Sequence, residues 1–389
     1  MDWMPYAERL AAEVTYPQSR WHGPIAATPR HLLVPRWWLP RQRPSRGAWD
    51  PGEWEVCDGP SHPERWLSAA YADQTLVTRI GPLHADHAGA DDRPAGRATS
   101  SSTMPSLVLR MLRHTRVYDG ADVLDVGTGP GYSAALLAHR LGDHHVTSID
   151  VDPYLTKSAA QRLDQLGRHP QIRTGDATGP LPGGADSYDR IVSTVSVRPI
   201  PPSWLVALRP GGRLVTTISG MTVILTAHKT QDGNAIGQVE WERAGFMDTR
   251  DGPDYPPDLH TRFGDLPDQE GEQVTTGRYP VVNVNDAWEL QSVLSVVAPG
   301  IEHAYQESDD GRRTAWMVHP DGSWARASAH GHQAPVVHQG GPRRLWEILD
   351  QLRDDWASHG YLQLYGAKAR ITPDGTIHLR RGRWQATIS

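Results

Sequence analysis

Apolar positions change their period along this chain, and each change marks an element. Met4, Ala7, Leu10, Ala11 and Val14 recur at helical spacing and predict a short amphipathic helix before the turn at Pro17. Leu107, Val108, Met111 and Leu112 repeat that spacing after Pro105, and the helix leads into the apolar run Val123-Leu124-Asp125-Val126. The run stops at Gly127, Gly129 and Gly131 and gives way to Ser133-Ala134-Ala135-Leu136-Leu137-Ala138. A buried strand therefore passes through a glycine turn into a helix. Further strands are expected at 145–150, 171–177 and 188–194, with a turn and another strand at 208–215. Strand, turn and helix in series make an open α/β sheet, in which ligands lie beyond the carboxyl ends of the strands.

The pattern loosens elsewhere. Residues 40–65 are rich in Pro, Gly, Arg and Trp and read as an inserted loop, 84–97 as a mobile loop beside the site, and 244–273 as an acidic linker or long loop. Apolar runs at 279–284, 314–318 and 323–327 predict strands, the last two forming a hairpin around Pro320-Asp321-Gly322. Leu345, Ile348, Leu349, Leu352 and Trp356 make a helical stripe that ends near Gly360, and two strands around Thr372-Pro373-Asp374-Gly375 finish the chain. Three regions follow: an N-terminal helix with substrate-site loops (1–103), a cofactor-binding core (104–232) and a C-terminal α+β domain (233–389).

Composition narrows the function classes. At 389 residues and 43.0 kDa the chain is long enough for two domains. A mean hydropathy of -0.53 without a long uncharged apolar run predicts a soluble, cytoplasmic protein with no membrane partner. A net charge of -6 speaks against nucleic acid as the main partner. Ser193-Thr194-Val195-Ser196 after the fourth strand is also unlike the N-P-P-Y-type motif of nucleic-acid methyltransferases. Cys57 stands alone, which excludes an internal disulfide framework and a thiolate zinc cluster. His84, His87, His330, His332 and His338 lie in aperiodic segments without carboxylate or thiolate companions at ligand spacing, so no metal is expected.

Glycines at the end of a strand let the backbone approach a ligand, and the first helical turn offers free N–H donors. Tyr132 stands where a dinucleotide fingerprint requires glycine. Asp125-x-Gly127-x-Gly129-x-Gly131 is instead similar to the loop of S-adenosylmethionine-dependent methyltransferases. Asp150 ends the next strand about 20 residues on, where a carboxylate can accept both ribose hydroxyls. The resemblance implies that Asp176 holds the adenine amino group, and it extends the S-adenosylmethionine site to Thr128, Tyr132, Val151 and Ala177.

The chain as a whole resembles protein-L-isoaspartate O-methyltransferases over about residues 20–220. Thr28-Pro29-Arg30-His31-Leu32-Leu33-Val34-Pro35 is similar to their V-P-R-H-x-F-V-P, and Ala70-Tyr71-Ala72-Asp73-Gln74-Thr75-Leu76 to their A-Y-x-D-x-P-L. Ser100-Ser101-Ser102-Thr103-Met104-Pro105 is similar to T-I-S-x-P, and aligning on Pro105 puts Thr103 at the family's active-site serine. The resemblance implies catalytic roles for Thr103 and Ser102 and substrate contacts from Arg30, His31, Tyr71 and Ser101. Capping of the helix that begins at Pro105 is a competing or concurrent role for these hydroxyls.

The implied fold is a doubly wound, Rossmann-like class I methyltransferase sheet with a C-terminal α+β domain. The implied activity is esterification of an aspartyl-type side-chain carboxylate in a partner peptide, leading to succinimide or isoaspartate. A carboxylate is already ionised at neutral pH, so such an enzyme needs positioning more than a strong base. The extended form resembles the homologues associated with ribosomally made peptides of the lanthipeptide, graspetide and lasso classes, which implies a precursor or cyclised peptide as partner. The alternative is a general isoaspartyl repair enzyme. A cofactor-binding scaffold without catalysis fits less well, because Asp125, Gly127, Gly129, Asp150 and Asp176 are all in place.

Overall fold

The computed structural model describes residues 2–41, 53–250, 252, 254, 255, 259 and 269–389. Its centre is a ten-stranded sheet. Five parallel strands come first, in the spatial order Gln171–Thr174, Val146–Asp150, Val123–Val126, Tyr188–Val197 and Leu208–Ile218. All four residues of Val123–Val126 are buried, as a central strand covered on both faces requires. Its neighbours on the two sides, Val146–Asp150 and Tyr188–Val197, both follow it in the chain, so the winding runs outward from it in two directions. The crevice beyond its carboxyl end is therefore the topological switch point of the sheet.

From Leu208–Ile218 outward the sheet continues antiparallel through Ile224–Lys229, Ala235–Val239, Lys368–Ile371, Ile377–Arg381 and Trp384–Ile388. This arrangement corrects the expected border at 232/233, which falls in the turn of a paired hairpin. The same hydrophobic core runs through Leu124, Ile191 and Leu214 of the parallel strands and Leu294, Leu349, Ile371 and Leu379 of the C-terminal region. Gly237 belongs to this seam. A Cβ there would lie 1.7 Å from the Thr226 carbonyl oxygen, so only glycine lets the two strands close.

The C-terminal region also carries a second antiparallel sheet, ordered Gln273–Thr276, Val336–Gly340, Trp324–His330, Arg312–Val318 and Glu302–Glu307. The helices Trp288–Val297 and Leu345–His359 lie between it and the C-terminal edge of the long sheet. The strand expected at 279–284 is absent. That stretch is irregular chain, in which Val281 and Val284 insert singly into the core.

A third, N-terminal sheet pairs Arg36–Pro40 with Trp54–Asp58 and with Leu76–Ile80, and the latter also pairs with Ala98–Ser102. Its strand at 54–58 corrects the expectation of loop from 40 to 65. Residues 42–52, like much of 251–268, lie outside the described residues. The helices Met4–Val14 and Pro105–Thr115 join it in a second core with Leu33, Trp37, Leu67 and Leu136. Residues 84–88, expected to be mobile, are tied down: the Arg162 guanidinium and the Tyr154 hydroxyl both donate to the Asp86 carboxylate. Among the described residues no helix is long and apolar enough to cross a membrane.

Candidate active site

The switch point opens into a cavity of about 300 Å³. Its floor is the glycine turn. Gly127 and Gly129 adopt φ of +93° and +49°, values that favour glycine. Added Cβ atoms would stand 3.0 Å from the Thr194 hydroxyl and 3.3 Å from the Ser101 carbonyl oxygen. Gly131 does different work: its Cβ would meet Ala159 at 3.3 Å, so this glycine lets the helices Tyr132–Leu141 and Pro153–Gln165 come together.

At one side of the floor, Asp150 accepts hydrogen bonds from the Gly129 N–H at 2.8 Å and the Asp152 N–H at 3.0 Å, one on each oxygen. Each oxygen keeps a lone pair for a further donor. Burial raises this carboxyl's pKa, and the two backbone bonds oppose the rise. Asp176 lines the cavity further along and accepts from the Thr178 N–H and hydroxyl, with Val151, Leu155 and Ala177 forming an apolar slot beside it. An adenosyl group needs this set: an apolar slot for a ring, acceptors for two vicinal hydroxyls, and bare backbone under a polar tail.

Other residues expected at the cofactor lie beneath the cavity. Asp125 is fully buried; one oxygen accepts from the Ser133 and Ser148 hydroxyls, and burial pushes the carboxyl up to about 6. Thr128 bonds to Ser148 at 2.7 Å, and the Tyr132 ring lies under the Arg30 guanidinium. These three side chains brace the loop from behind.

The opposite wall comes from the end of the Ala98–Ser102 strand. A register shift against Leu76–Ile80 places Thr99, Ser100 and Ser101 along the cavity, and Thr103 follows. Ser100 is engaged by Thr78 at 3.0 Å, whereas among the described residues the Ser101 and Thr103 hydroxyls make no hydrogen bond within the chain. The capping role is taken by another residue, because the Asp73 carboxylate accepts from the Ser106 N–H in the first turn of Pro105–Thr115.

Ser102 is only 1% exposed and points the other way, its hydroxyl accepting from Arg30 Nε. The structure likewise keeps Arg30, His31 and Tyr71 out of the cavity. Arg30 has no exposure at all, and His31 shares a 2.7 Å hydrogen bond with the Tyr71 hydroxyl among Trp3 and Trp66. The motif that carries Arg30 and His31 thus shapes the wall from inside the N-terminal core.

Sequence reasoning missed the roof. Residues 245–250 with Tyr255 cover the cavity where a linker was expected. The Ser196 N–H donates to the Met247 carbonyl and the Thr249 N–H to the Ser196 carbonyl, while the Tyr255 hydroxyl holds the Asp248 carbonyl. No local period marks this contact, because it depends on the chain returning over the sheet. Thr194 and Val195, also in the wall, were noted in sequence as part of a stretch that lacks an N-P-P-Y-type motif and not as site residues.

The buried histidines give the fold a pH dependence. Burial holds the His31 and His303 imidazoles down at about 4 each. Their folded values lie below the unfolded value of about 6.5, so the stability they contribute is present above that value and drains away as pH falls toward 4. The loss is up to about 3 kcal/mol for each. The thermal midpoint is expected to fall between about pH 7.5 and 5, and His31→Phe should flatten that slope in a calorimetric series.

A family profile described as Protein-L-isoaspartate(D-aspartate) O-methyltransferase (PCMT) matches residues 77–247. The protein-L-isoaspartate O-methyltransferase of Ignicoccus hospitalis is 32% identical over 167 residues, which cover 41% of this chain and 77% of that protein. The enzyme of the same name from Bradyrhizobium is 32% identical over 180 residues, covering 45% of this chain and 79% of the relative. A solved structure, also a protein-L-isoaspartate O-methyltransferase, aligns over 97% of this chain and 99% of its own at a TM-score of 0.51 and 17% identity. The fold likeness therefore takes in the C-terminal region. Sequence kinship over most of a relative's length, with the glycine floor and the carboxylates in place, shows that this chain belongs to the protein-L-isoaspartate O-methyltransferase family of S-adenosylmethionine-dependent carboxyl methyltransferases.

Proposed function

We propose that this protein methylates the free carboxylate of an isoaspartyl residue in peptides and proteins. One observation carries the reading: the unengaged Ser101 and Thr103 hydroxyls share a single roofed cavity with the glycine floor and Asp150. S-adenosylmethionine would lie on Gly127 and Gly129, with its ribose on Asp150 and its adenine near Asp176 and Ala177; it supplies an electrophilic methyl group. The chain's part is to bring a carboxylate oxygen to near-attack distance while donors keep its charge from being buried unpaired. Thr103 and Ser101 are those donors. Ser102, Arg30, His31 and Tyr71 support the wall.

The ester then reacts without further help. The following backbone nitrogen attacks the ester carbonyl, a C–N bond forms, the C–OCH₃ bond breaks, and the amide proton leaves with methoxide as methanol. The ring atoms are already tethered, so the succinimide closes at high effective molarity.

The roof formed by residues 245–250 and Tyr255 favours a second, narrower reading. A covered cleft suits one dedicated peptide, such as a ribosomally made precursor whose ordinary L-Asp is activated to a succinimide. The C-terminal region does not discriminate by itself, since its fold falls within the alignment to a solved structure that carries the plain family name.

The test offers labelled cofactor with a generic isoaspartyl peptide, its L-Asp twin, and peptides encoded beside the gene. Turnover of the generic isoaspartyl peptide is the expected result. Methylation confined to an L-Asp precursor would replace it with the dedicated reading, and methylation of none of them would overturn both.

A further inference from the structure

The roof ends in a guanidinium. Arg250 lines the cavity, yet its side chain is only 7% exposed. Its Nη1 donates to the Gly252 carbonyl, and its Nη2 stands 3.6 Å from Asp152 Oδ2. The same oxygen faces His84 Nε2 at 3.1 Å and Arg79 Nη1 at 3.4 Å, while Asp152 Oδ1 caps the helix Pro153–Gln165 by accepting from the Tyr154 N–H. Two carboxylates thus stand two residues apart, Asp150 at the end of its strand and Asp152 at the start of the helix that follows.

We propose that Arg250 is a positioning residue for the cofactor, which sets Asp150 to take the two ribose hydroxyls. The proposal rests on the reading of this cavity as the S-adenosylmethionine site. Arg79 and His84 come from the N-terminal region and reach Asp152 from behind. Arg250 arrives from the returning segment, beyond the residues matched by the family profile, and is the member of the cluster that also lines the cavity.

Its effect is electrostatic and steric together. Burial and, after it, the Asp152 charge favour a proton on Asp150; the Gly129 and Asp152 N–H bonds oppose them, and the Arg250 charge adds to that opposition. A protonated Asp150 would turn one acceptor into a donor, and bidentate capture of a diol would fail. Arg250 also walls off water beside this carboxylate, so that hydrogen bonds to it form in a low-dielectric pocket. The C-terminal region would therefore complete the cofactor site as well as buttress the sheet.

Calorimetry with S-adenosylhomocysteine and with its 2′,3′-dideoxy analogue tests this. In the natural protein the two ligands should differ in affinity by about 50-fold or more, the share of two charge-assisted hydrogen bonds. Arg250→Met should weaken S-adenosylhomocysteine by roughly 10- to 50-fold while changing the analogue by about twofold at most, and Arg250→Lys should restore most of the difference. Equal weakening of both ligands, or none, would overturn the proposal and leave Arg250 as cover. Arg250→Gln, read against the same two ligands, serves if the methionine variant does not fold. Failure of the natural protein to bind S-adenosylhomocysteine would instead remove the cofactor site itself.

Discussion

Thr103→Val is expected to slow methyl transfer by about 100-fold while leaving S-adenosylhomocysteine affinity within about twofold. Valine keeps the shape of threonine and removes only the hydroxyl, so any loss measures the donor. Within the chain that hydroxyl has no partner among the described residues, and the helix it precedes is capped by Asp73 instead. Removing it therefore disturbs no structural bond. On the proposed function it removes a donor for the substrate carboxylate and for the ester oxygen that replaces it, worth about 2–3 kcal/mol in a partly buried site. Thr103→Ser should retain most of the rate. Single-turnover kinetics with an isoaspartyl peptide is the measurement, and an unchanged rate in the valine variant would reduce Thr103 to wall.

The site was legible in sequence where it follows from local chemistry. A strand that ends in glycines and runs into a helix announces itself by period, and Asp150 stands at the end of the next strand; Asp176 came from the resemblance, and both carboxylates line the cavity. Thr103 came from the resemblance to the family's T-I-S-x-P, aligned on Pro105, and it lines the cavity. Where geometry depends on which way a short strand turns, sequence spacing failed: Ser102 lies between two cavity residues and points into the core. Arg30, His31 and Tyr71 sit in motifs as recognisable as the glycine turn, yet they act from beneath.

Larger features escaped for other reasons. Trp288–Val297 is held between two layers, with Leu290, Val293, Leu294 and Val296 buried, and its valine-rich run has no clean polar face to betray a helix. The 279–284 run showed apolar residues without the regular pairing that a strand needs, and Pro280 removes a donor. The border at 232/233 was drawn near where the resemblance to the family gives out, whereas the sheet crosses it through the paired strands Ile224–Lys229 and Ala235–Val239 and continues into Lys368–Ile371, far along the chain.

Arg30→Met should destabilise the protein by about 3–5 kcal/mol, a much larger effect than removal of an exposed charge. The guanidinium is fully buried and donates to the carbonyl oxygens of Ala70, Ala72, Gln74, Ser102 and Thr103, as well as to the Ser102 hydroxyl. These acceptors come from two loops that would otherwise end in unpaired backbone, and each one left unsatisfied costs about 1 kcal/mol or more. Burial lowers the guanidinium's pKa to about 10, so it stays charged at neutral pH and holds its hydrogen bonds. Methionine fills much of the space without donating. Lysine would rescue little, because three donors on a flexible stem cannot reach acceptors spread around a planar fork. Since the Thr103 carbonyl is one of the five, the loss should extend to catalysis: protein that remains folded would position the Thr103 hydroxyl poorly and turn over slowly at unchanged cofactor affinity. Urea denaturation of Arg30→Met and Arg30→Lys is the check. A change below about 1 kcal/mol in both would show that the loops hold the 102–103 turn without this clamp.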